Sequence, residues 1–401
     1  MRANSVVWAY AALTALFLGG AWLRLPYGEG LRFPTLLIER NAEQNVGGWV
    51  PAGLPQLDQA RLRRSVARIS TVRLAREAGN SVRVAGGQVV EWAIWGGQEP
   101  LMLFPNLDLW VSRGLTPEVE ADLVRAAQVI GAYEKRLKQE GWTLVVLAVP
   151  AKLGTHRELA RWPIGEANLL SRDLVLADRS DAVHGFFIEK LAREGVPAVD
   201  LQSLYRSAIA RRPETLLFVP GDSHWTGVGI ELAANATAQL IARSSTLVAR
   251  VPRDPTYLEF DHVGDMAKVF DPLPALNTWL KPVWTYRERL LNGEAGRGYP
   301  YPQKPSGLVA AVGTSYTGQY TWLAQPVGFA WQLGLHLDNV EVQNLPHAGQ
   351  GSFFAFELFW KRRNEIYAEF STRHGPGKPK VVVWEFPLRD VRGMLTAPPP
   401  N

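Results

Sequence analysis

The pattern of apolar segments predicts an α/β protein, a parallel sheet covered by helices on both faces. Three observations carry that expectation. Thr143 to Val149, Leu308 to Val312 and Val381 to Trp384 are continuous apolar runs of strand length, as strands buried on both faces require. Segments with apolar residues at helical spacing lie before and between them. Strands that alternate with helices pair in parallel, because parallel neighbours need a crossover between them.

Each element follows in order. Val6 to Leu23 holds no charged residue, with Arg2 before it and Arg24 after it. As a helix it would cover about 27 Å, close to the thickness of a bilayer core. It is expected to be a signal anchor, the alternative being a signal peptide cleaved near Gly19-Gly20-Ala21; either sends the rest of the chain across a membrane. Residues 1–24 form this segment and residues 25–94, rich at first in Pro and Gly, a stalk and lead-in. The main domain is expected over 95–390 with an insertion at 246–306, followed by a tail at 391–401 whose Ala-Pro-Pro-Pro-Asn end is expected to be frayed. Short aromatic strands are expected around Leu101 to Val111. Thr116-Pro117 then reads as an N-cap with proline at the first helical position. Val119, Leu123, Ala126, Ile130, Tyr133 and Leu137 mark the apolar face of that helix, which Gly141 ends before the strand from Thr143. A helix at Asp181 to Arg193, a short strand at Ala198 to Leu201 and another helix follow. Leu216 to Val219 reads as a strand, with Leu232, Ala236 and Leu240 on one helix face behind it. Residues 246–306 hold many Pro, Asp, Trp and Tyr residues without clear alternation, hence an insertion over the sheet. Leu308 to Val312 is a strand leading to a helix after Ser315. Val340 to Gln343 is a strand, Phe353 to Phe370 a helix and Val381 to Trp384 the last strand.

Composition narrows the function. At 401 residues, 47% hydrophobic and 20% charged, the chain has the make-up of a globular protein. The absence of cysteine excludes disulfides, thiol catalysis and cysteine-held metals. The net charge of +5 is spread along the chain, and no nucleic-acid module or phosphate-binding loop is present, so no nucleic-acid partner is expected. His156, His184, His262, His336, His347 and His374 lack paired metal-ligand spacing. Structural roles are expected for them, with His347 a candidate to line a cleft beside Gly349. No metal or cofactor is expected.

In sheets of this class ligands bind outside the carboxyl ends of the strands, so the polar residues there are the ones to examine. Gly221-Asp222-Ser223-His224-Trp225 follows Val219. If the segment is extended, Asp222 and His224 point to the same side, and the carboxylate can fix the imidazole tautomer. The alternative is that Asp222 and Ser223 cap the helix near Thr226. Val312-Gly313-Thr314-Ser315-Tyr316 follows the second strand. A serine at a tight strand-to-helix turn presents its hydroxyl beside the free amides of a helix start; the alternative is again a cap. Together the two motifs put a nucleophile, a base and an orienting carboxylate at strand ends of one sheet.

Asp-Ser-His-Trp at 222–225 and Gly-Thr-Ser-Tyr at 313–316 resemble the motifs of the alginate O-acetyltransferase type (AlgJ/AlgX-like) of SGNH-hydrolase-like proteins. Val149-Pro150-Ala151-Lys152, Gly264-Asp265-Met266 and Trp384-Glu385-Phe386-Pro387 add weaker matches, and the resemblance spans roughly residues 95 to 390. It implies Ser315 as nucleophile, His224 as general base and Asp222 as its orienter. Ordinary SGNH hydrolases place the serine first and use Asp-x-x-His, so the order here implies a permuted sheet. In that frame the strand after the serine leads to Gly349-Gln350-Gly351, where an oxyanion-hole glycine is expected. The next strand leads to Glu385 and Arg389, where an asparagine would stand, and Asn344 is a candidate substitute. Trp225, beside His224, is the tryptophan singled out for a sugar; Tyr316, Lys152 and Arg389 are further candidates for substrate contact.

The resemblance implies an enzyme that acetylates hydroxyl groups of an exported polysaccharide through an acetyl-serine intermediate, on the periplasmic side of a bacterial inner membrane. The implied partners are an exopolysaccharide acceptor, a membrane-bound O-acyltransferase that supplies the acetyl donor, and the membrane itself through residues 6–23. The same triad would serve a polysaccharide acetylesterase, and a glycan-binding scaffold on a hydrolase fold is a third reading.

Overall fold

The computed structural model describes residues 114–156, 180–265, 285–294, 304–323, 327–348 and 351–395, with short pieces at 93–95, 103–105, 108 and 111. The expected membrane segment at 6–23, most of the stalk and the end of the tail lie outside the described residues. Among the described residues no helix is long and apolar enough to cross a membrane.

Strands β1 (Ala93–Trp95) and β2 (Leu103–Pro105) pair antiparallel. Helix α1 (Pro117–Gln139) begins where the sequence places it: Thr116 caps it, accepting from Val119 N at 3.2 Å, with Pro117 in the first turn. Its expected face is buried from Val119 to Leu137, and Gly141, at φ +75°, supplies the left-handed turn into β3 (Trp142–Val149). Helices α2 (Lys152–Thr155), α3 (Ser180–Arg193), α4 (Leu201–Arg211) and α5 (Gly227–Ser244) follow. Then come the antiparallel pair β4 (Pro255–Val263) and β5 (Thr285–Glu294), strand β6 (Gly307–Gly313), helices α6 (Ser315–Gly318) and α7 (Phe329–Leu335), strand β7 (Val340–Pro346), helix α8 (Ser352–His374) and strand β8 (Lys380–Pro387).

Strands β3, β8, β6 and β7, in that order, form one parallel sheet. Because side chains alternate along each strand, the sheet has two buried faces. Val145, Leu147, Val309 and Val383 pack with Tyr205, Ile230 and Phe329 of α4, α5 and α7. Leu144, Val146, Leu308 and Val382 pack with Ile130, Phe187 and Phe356 of α1, α3 and α8. The expected α/β class with helices on both faces is the observed one.

Four local expectations are corrected. Ala198 contributes one parallel bridge to Val146, and Leu201 already opens α4 under an Asp200 cap, so 198–201 is not a strand. Residues 216–219 form no strand of the sheet; Phe218 bridges antiparallel to Trp225 across the tight reversal at 220–224. Such runs are too short for periodicity to separate a strand from a buried loop edge. The buried face of α5 is Ile230, Ala233, Ala234, Thr237, Ala238 and Ile241, with Leu232, Ala236 and Leu240 on its flank, because the alanines admit the closer approach. Finally, the packed chain continues past 390: a 3-10 helix at Leu388–Met394 buries Val391 and Met394.

The insertion is more regular than its composition suggests. Strands β4 and β5 pair over nine and ten residues, with a register shift at Thr256/Tyr257. Two glycines mark where the pair docks by backbone approach. A Cβ on Gly227 would stand 2.0 Å from Arg289 O, and one on Gly264 would stand 2.1 Å from Gly221 O.

Candidate active site

The reversal at 220–224 and the start of α6 meet at the carboxyl end of the sheet. Asp222 Oδ1 accepts the His224 backbone N–H at 3.0 Å, an Asx turn, so the segment is bent where an extended one was expected. The bend lets the same oxygen reach the His224 ring: Nδ1 lies 2.6 Å from Asp222 Oδ1, and Nε2 lies 2.7 Å from Ser315 Oγ. With the proton on Nδ1 donated to Asp222, Nε2 is the acceptor for the Ser315 hydroxyl. The capping alternative is resolved by Thr226, whose own hydroxyl caps α5 by accepting from Gly229 N at 3.2 Å.

Asp222 Oδ2 is held from the insertion. His262 Nε2 donates to it at 2.8 Å and Asp265 N at 3.2 Å. Asp265 in turn accepts the Ser223 N–H and O–H at 2.9 Å each. His262 and Asp265 thus belong to the site. The short Gly264-Asp265-Met266 match was the sequence signal for Asp265; His262 had none. Asp222, Asp265 and His224 bring metal-ligand atoms within 4.8 Å of one another. Both Asp222 oxygens and both His224 ring nitrogens are engaged in the bonds just given, so the set fits proton handling better than an ion.

Electrostatics follow from these contacts. Burial works to raise Asp222, but the His224 charge and the bonds from His224, His262 and Asp265 outweigh it and hold the carboxyl well below its usual range. Burial works to lower His224, and the Asp222 carboxylate outweighs it, leaving the imidazole above 6.5. Burial and the Asp222 charge push Asp265 up to about 6, although its side chain keeps 44% of its surface open.

Lys152 is fully buried and does not face the cleft. Its Nζ donates to the carbonyls of Val219 (2.6 Å), Pro220 (3.1 Å) and Asp222 (2.7 Å), clamping the turn that carries the aspartate. Burial pushes it down to about 7. Three carbonyl acceptors match the three N–H groups of an ammonium, which favours the charged form. Tyr316 and Arg389 likewise brace from behind. The Tyr316 hydroxyl donates to Ser223 O at 2.5 Å and accepts from Arg389 Nη1 at 3.3 Å, while Arg389 also pairs with buried Asp108 at 3.3 Å. Trp225 is wholly buried against Tyr316 and Phe329, so it is a core residue and no sugar platform.

Beneath the nucleophile turn lies Glu385, fully buried, accepting Thr314 N at 2.8 Å, Thr317 N at 3.3 Å and the Thr314 hydroxyl at 3.2 Å. Gly313 makes room for it, since a Cβ there would stand 2.3 Å from Glu385 Oε2. Among the described residues no acceptor takes the Ser315 N–H. Asn344 Nδ2 donates to Thr317 O at 3.2 Å, so that N–H supports the turn. Gly351 caps α8 at φ +80°, and Gly349 lies outside the described residues. A cleft of about 410 Å³ opens over Ser315 and His224, lined also by His262, Asp265, Gln319, Thr321, Trp322, Pro346 and Ala348.

Comparison with known proteins places the chain in a family. The family model described as SGNH hydrolase-like domain, acetyltransferase AlgX matches residues 108–388. A protein named probable alginate O-acetylase AlgJ from Pseudomonas putida is 30% identical over 266 residues, covering 63% of this chain and 60% of that protein. One of the same name from Pseudomonas fluorescens is 26% identical over 268 residues, covering 65% and 60%. The chain therefore spans about 60% of the length of the curated relatives it matches. Among solved structures, the O-acetyltransferase domain of Pseudomonas putida AlgJ is similar at TM-score 0.49 and 24% identity, covering 75% of this chain and 92% of that one. Pseudomonas aeruginosa AlgX is similar at TM-score 0.46 and 19% identity, covering 76% and 66%. With the family model matching well over half its length, the chain belongs to the SGNH hydrolase-like, AlgX-type acetyltransferase family.

Proposed function

We propose that the chain is an O-acetyltransferase that acetylates hydroxyl groups of an exported polysaccharide, alginate being the polymer in its relatives' names. The observation that carries this reading is the unbroken relay Asp222–His224–Ser315, with links of 2.6 and 2.7 Å, opening on a cleft. His224 Nε2 takes the Ser315 proton as Oγ bonds to the acetyl carbonyl carbon. The Ser315 N–H, free of other acceptors among the described residues, is a donor for the oxyanion. Collapse breaks the bond to the donor's leaving oxygen, which receives the proton from His224. A sugar hydroxyl then gives its proton to His224 and attacks the acetyl-serine, and Ser315 regains a proton as the new ester forms. Transfer prevails over hydrolysis when the acceptor occupies the cleft and displaces water.

In this reading the domain works on the periplasmic side of the inner membrane, held there by residues 6–23, and a membrane-bound O-acyltransferase supplies the acetyl group. Ser315→Ala should remove the burst of acetyl-enzyme seen with an activated acetyl ester. An undiminished burst in that variant would overturn the assignment.

A further inference from the structure

Among the tryptophans whose side chains are described, Trp142, Trp225 and Trp384 are fully buried, Trp331 and Trp360 are half-buried, and Trp322 alone is exposed, at 61%. It is also the one that lines the cleft over Ser315 and His224. We infer that Trp322 is a platform for a pyranose unit of the acceptor glycan, the sugar ring lying on the indole face with a hydroxyl turned toward His224; this rests on the acetyl-transfer reading above.

The platform is built, not incidental. Trp322 lies near-parallel to His262, with ring centroids 6.5 Å apart at 30°, and 5.6 Å from Tyr320. His262 is fixed by its bond to Asp222, so the row of rings is tied directly to the triad. Tyr320 is fully buried and sits at φ +66°, a left-handed conformation that a tyrosine keeps only when its surroundings impose it. Those surroundings are visible. The Tyr320 hydroxyl donates to Glu288 at 2.6 Å, and Glu288 accepts the Gly227 N–H at 3.0 Å, so the turn is pinned to both β5 and α5. Thr321 closes the turn on Gly318 through N (3.1 Å) and Oγ1 (2.7 Å). The indole is therefore presented on a short, braced turn directly after the nucleophile helix, and little ordering remains to oppose binding.

The chemistry of the ligand follows. An exposed flat π-face carries partial negative charge and takes a surface of C–H bonds. A pyranose has such a face and keeps its hydroxyls on its rim, and Thr321, Gln319 and Asp265 line the same cleft as the indole.

Binding without turnover tests this directly. Short oligosaccharides of alginate and of cellulose are titrated calorimetrically into the full chain carrying Ser315→Ala, alone and with Trp322→Ala or Trp322→Phe. The expected result is an oligosaccharide Kd about tenfold or more weaker with Trp322→Ala, largely recovered by Trp322→Phe. A Kd that Trp322→Ala leaves within about twofold of the value for Ser315→Ala alone overturns the inference. That holds even if Trp322→Ala instead changes self-association, which would assign the indole to a second copy of the chain. The acetyl-enzyme burst of the parent protein is followed separately. Its absence would count against the acetyl-transfer reading, whereas sugar binding that ignores Trp322 would count against the platform alone.

Discussion

Asp222 serves two histidines, one through each oxygen, and this has a measurable consequence. The Asp222 charge holds His224 above 6.5, and the base works only when neutral. kcat/KM should therefore fall as pH drops through a value above 6.5. His262 draws on the same charge at 2.8 Å. His262→Ala should leave more of that charge for His224, moving the acid limb to higher pH and lowering kcat; His262→Gln, which retains an N–H donor, should restore part of both. An acid limb unmoved in His262→Ala would show that the second histidine only fills space. Asp222, His224 and Ser315 were legible in the sequence because each lies in a short polar motif bounded by recognisable apolar runs. His262 was not, because it joins the site from a distant segment with no pattern of its own. Trp225 was misread for the related reason that adjacency to His224 says nothing about burial; among the described residues the exposed tryptophan is Trp322.

At the scale of elements, the parallel strands were legible because a strand buried on both faces is apolar at every position, whatever surrounds it. The β4–β5 pair was not, since exposed, half-buried and, in β5, buried positions follow one another without regular alternation. What the pair does is visible only in three dimensions: its end rests on the Asp222 turn at Gly264, where any side chain collides. A Cβ there would stand 2.1 Å from Gly221 O and 2.4 Å from Asp222 Cβ. Gly264→Ala should push the strand end away and weaken both insertion bonds to Asp222 Oδ2. The expected outcome is about a tenfold or greater loss of kcat with an acetyl ester, for a stability cost of about 1–3 kcal/mol, typical of overpacking. Wild-type kcat in this variant, measured beside its thermal midpoint, would show that the insertion does not support the triad.

For the molecule as a whole, the requirements of stability and of catalysis diverge with pH. Burial raises three glutamates: Glu134 to about 7, Glu288 to about 6 and Glu385 to about 7. A carboxyl whose folded pKa is raised favours folding below its unfolded value, and that contribution is lost as pH climbs through the folded one. Here the loss runs from about 4.5 to about 7. His336 opposes it in part, pushed down to about 4 by burial, so its contribution is lost as pH falls from 6.5. Lys152, pushed down to about 7, contributes a change only above that pH. Asp265, pushed up to about 6, and His224, also raised, act in the same direction as the three glutamates. The thermal midpoint should therefore fall between pH 5 and 7, while the fraction of neutral His224 rises over the same interval. Glu385 lies within this balance, directly under the nucleophile turn. Glu385→Gln keeps an oxygen for the Thr314 and Thr317 amides but cannot ionise. The variant should melt close to wild type at pH 5 and above it at pH 7, so its curve of midpoint against pH should be flatter. Parallel curves for the two proteins would mean that Glu385 does not titrate in this range and that another group sets the slope.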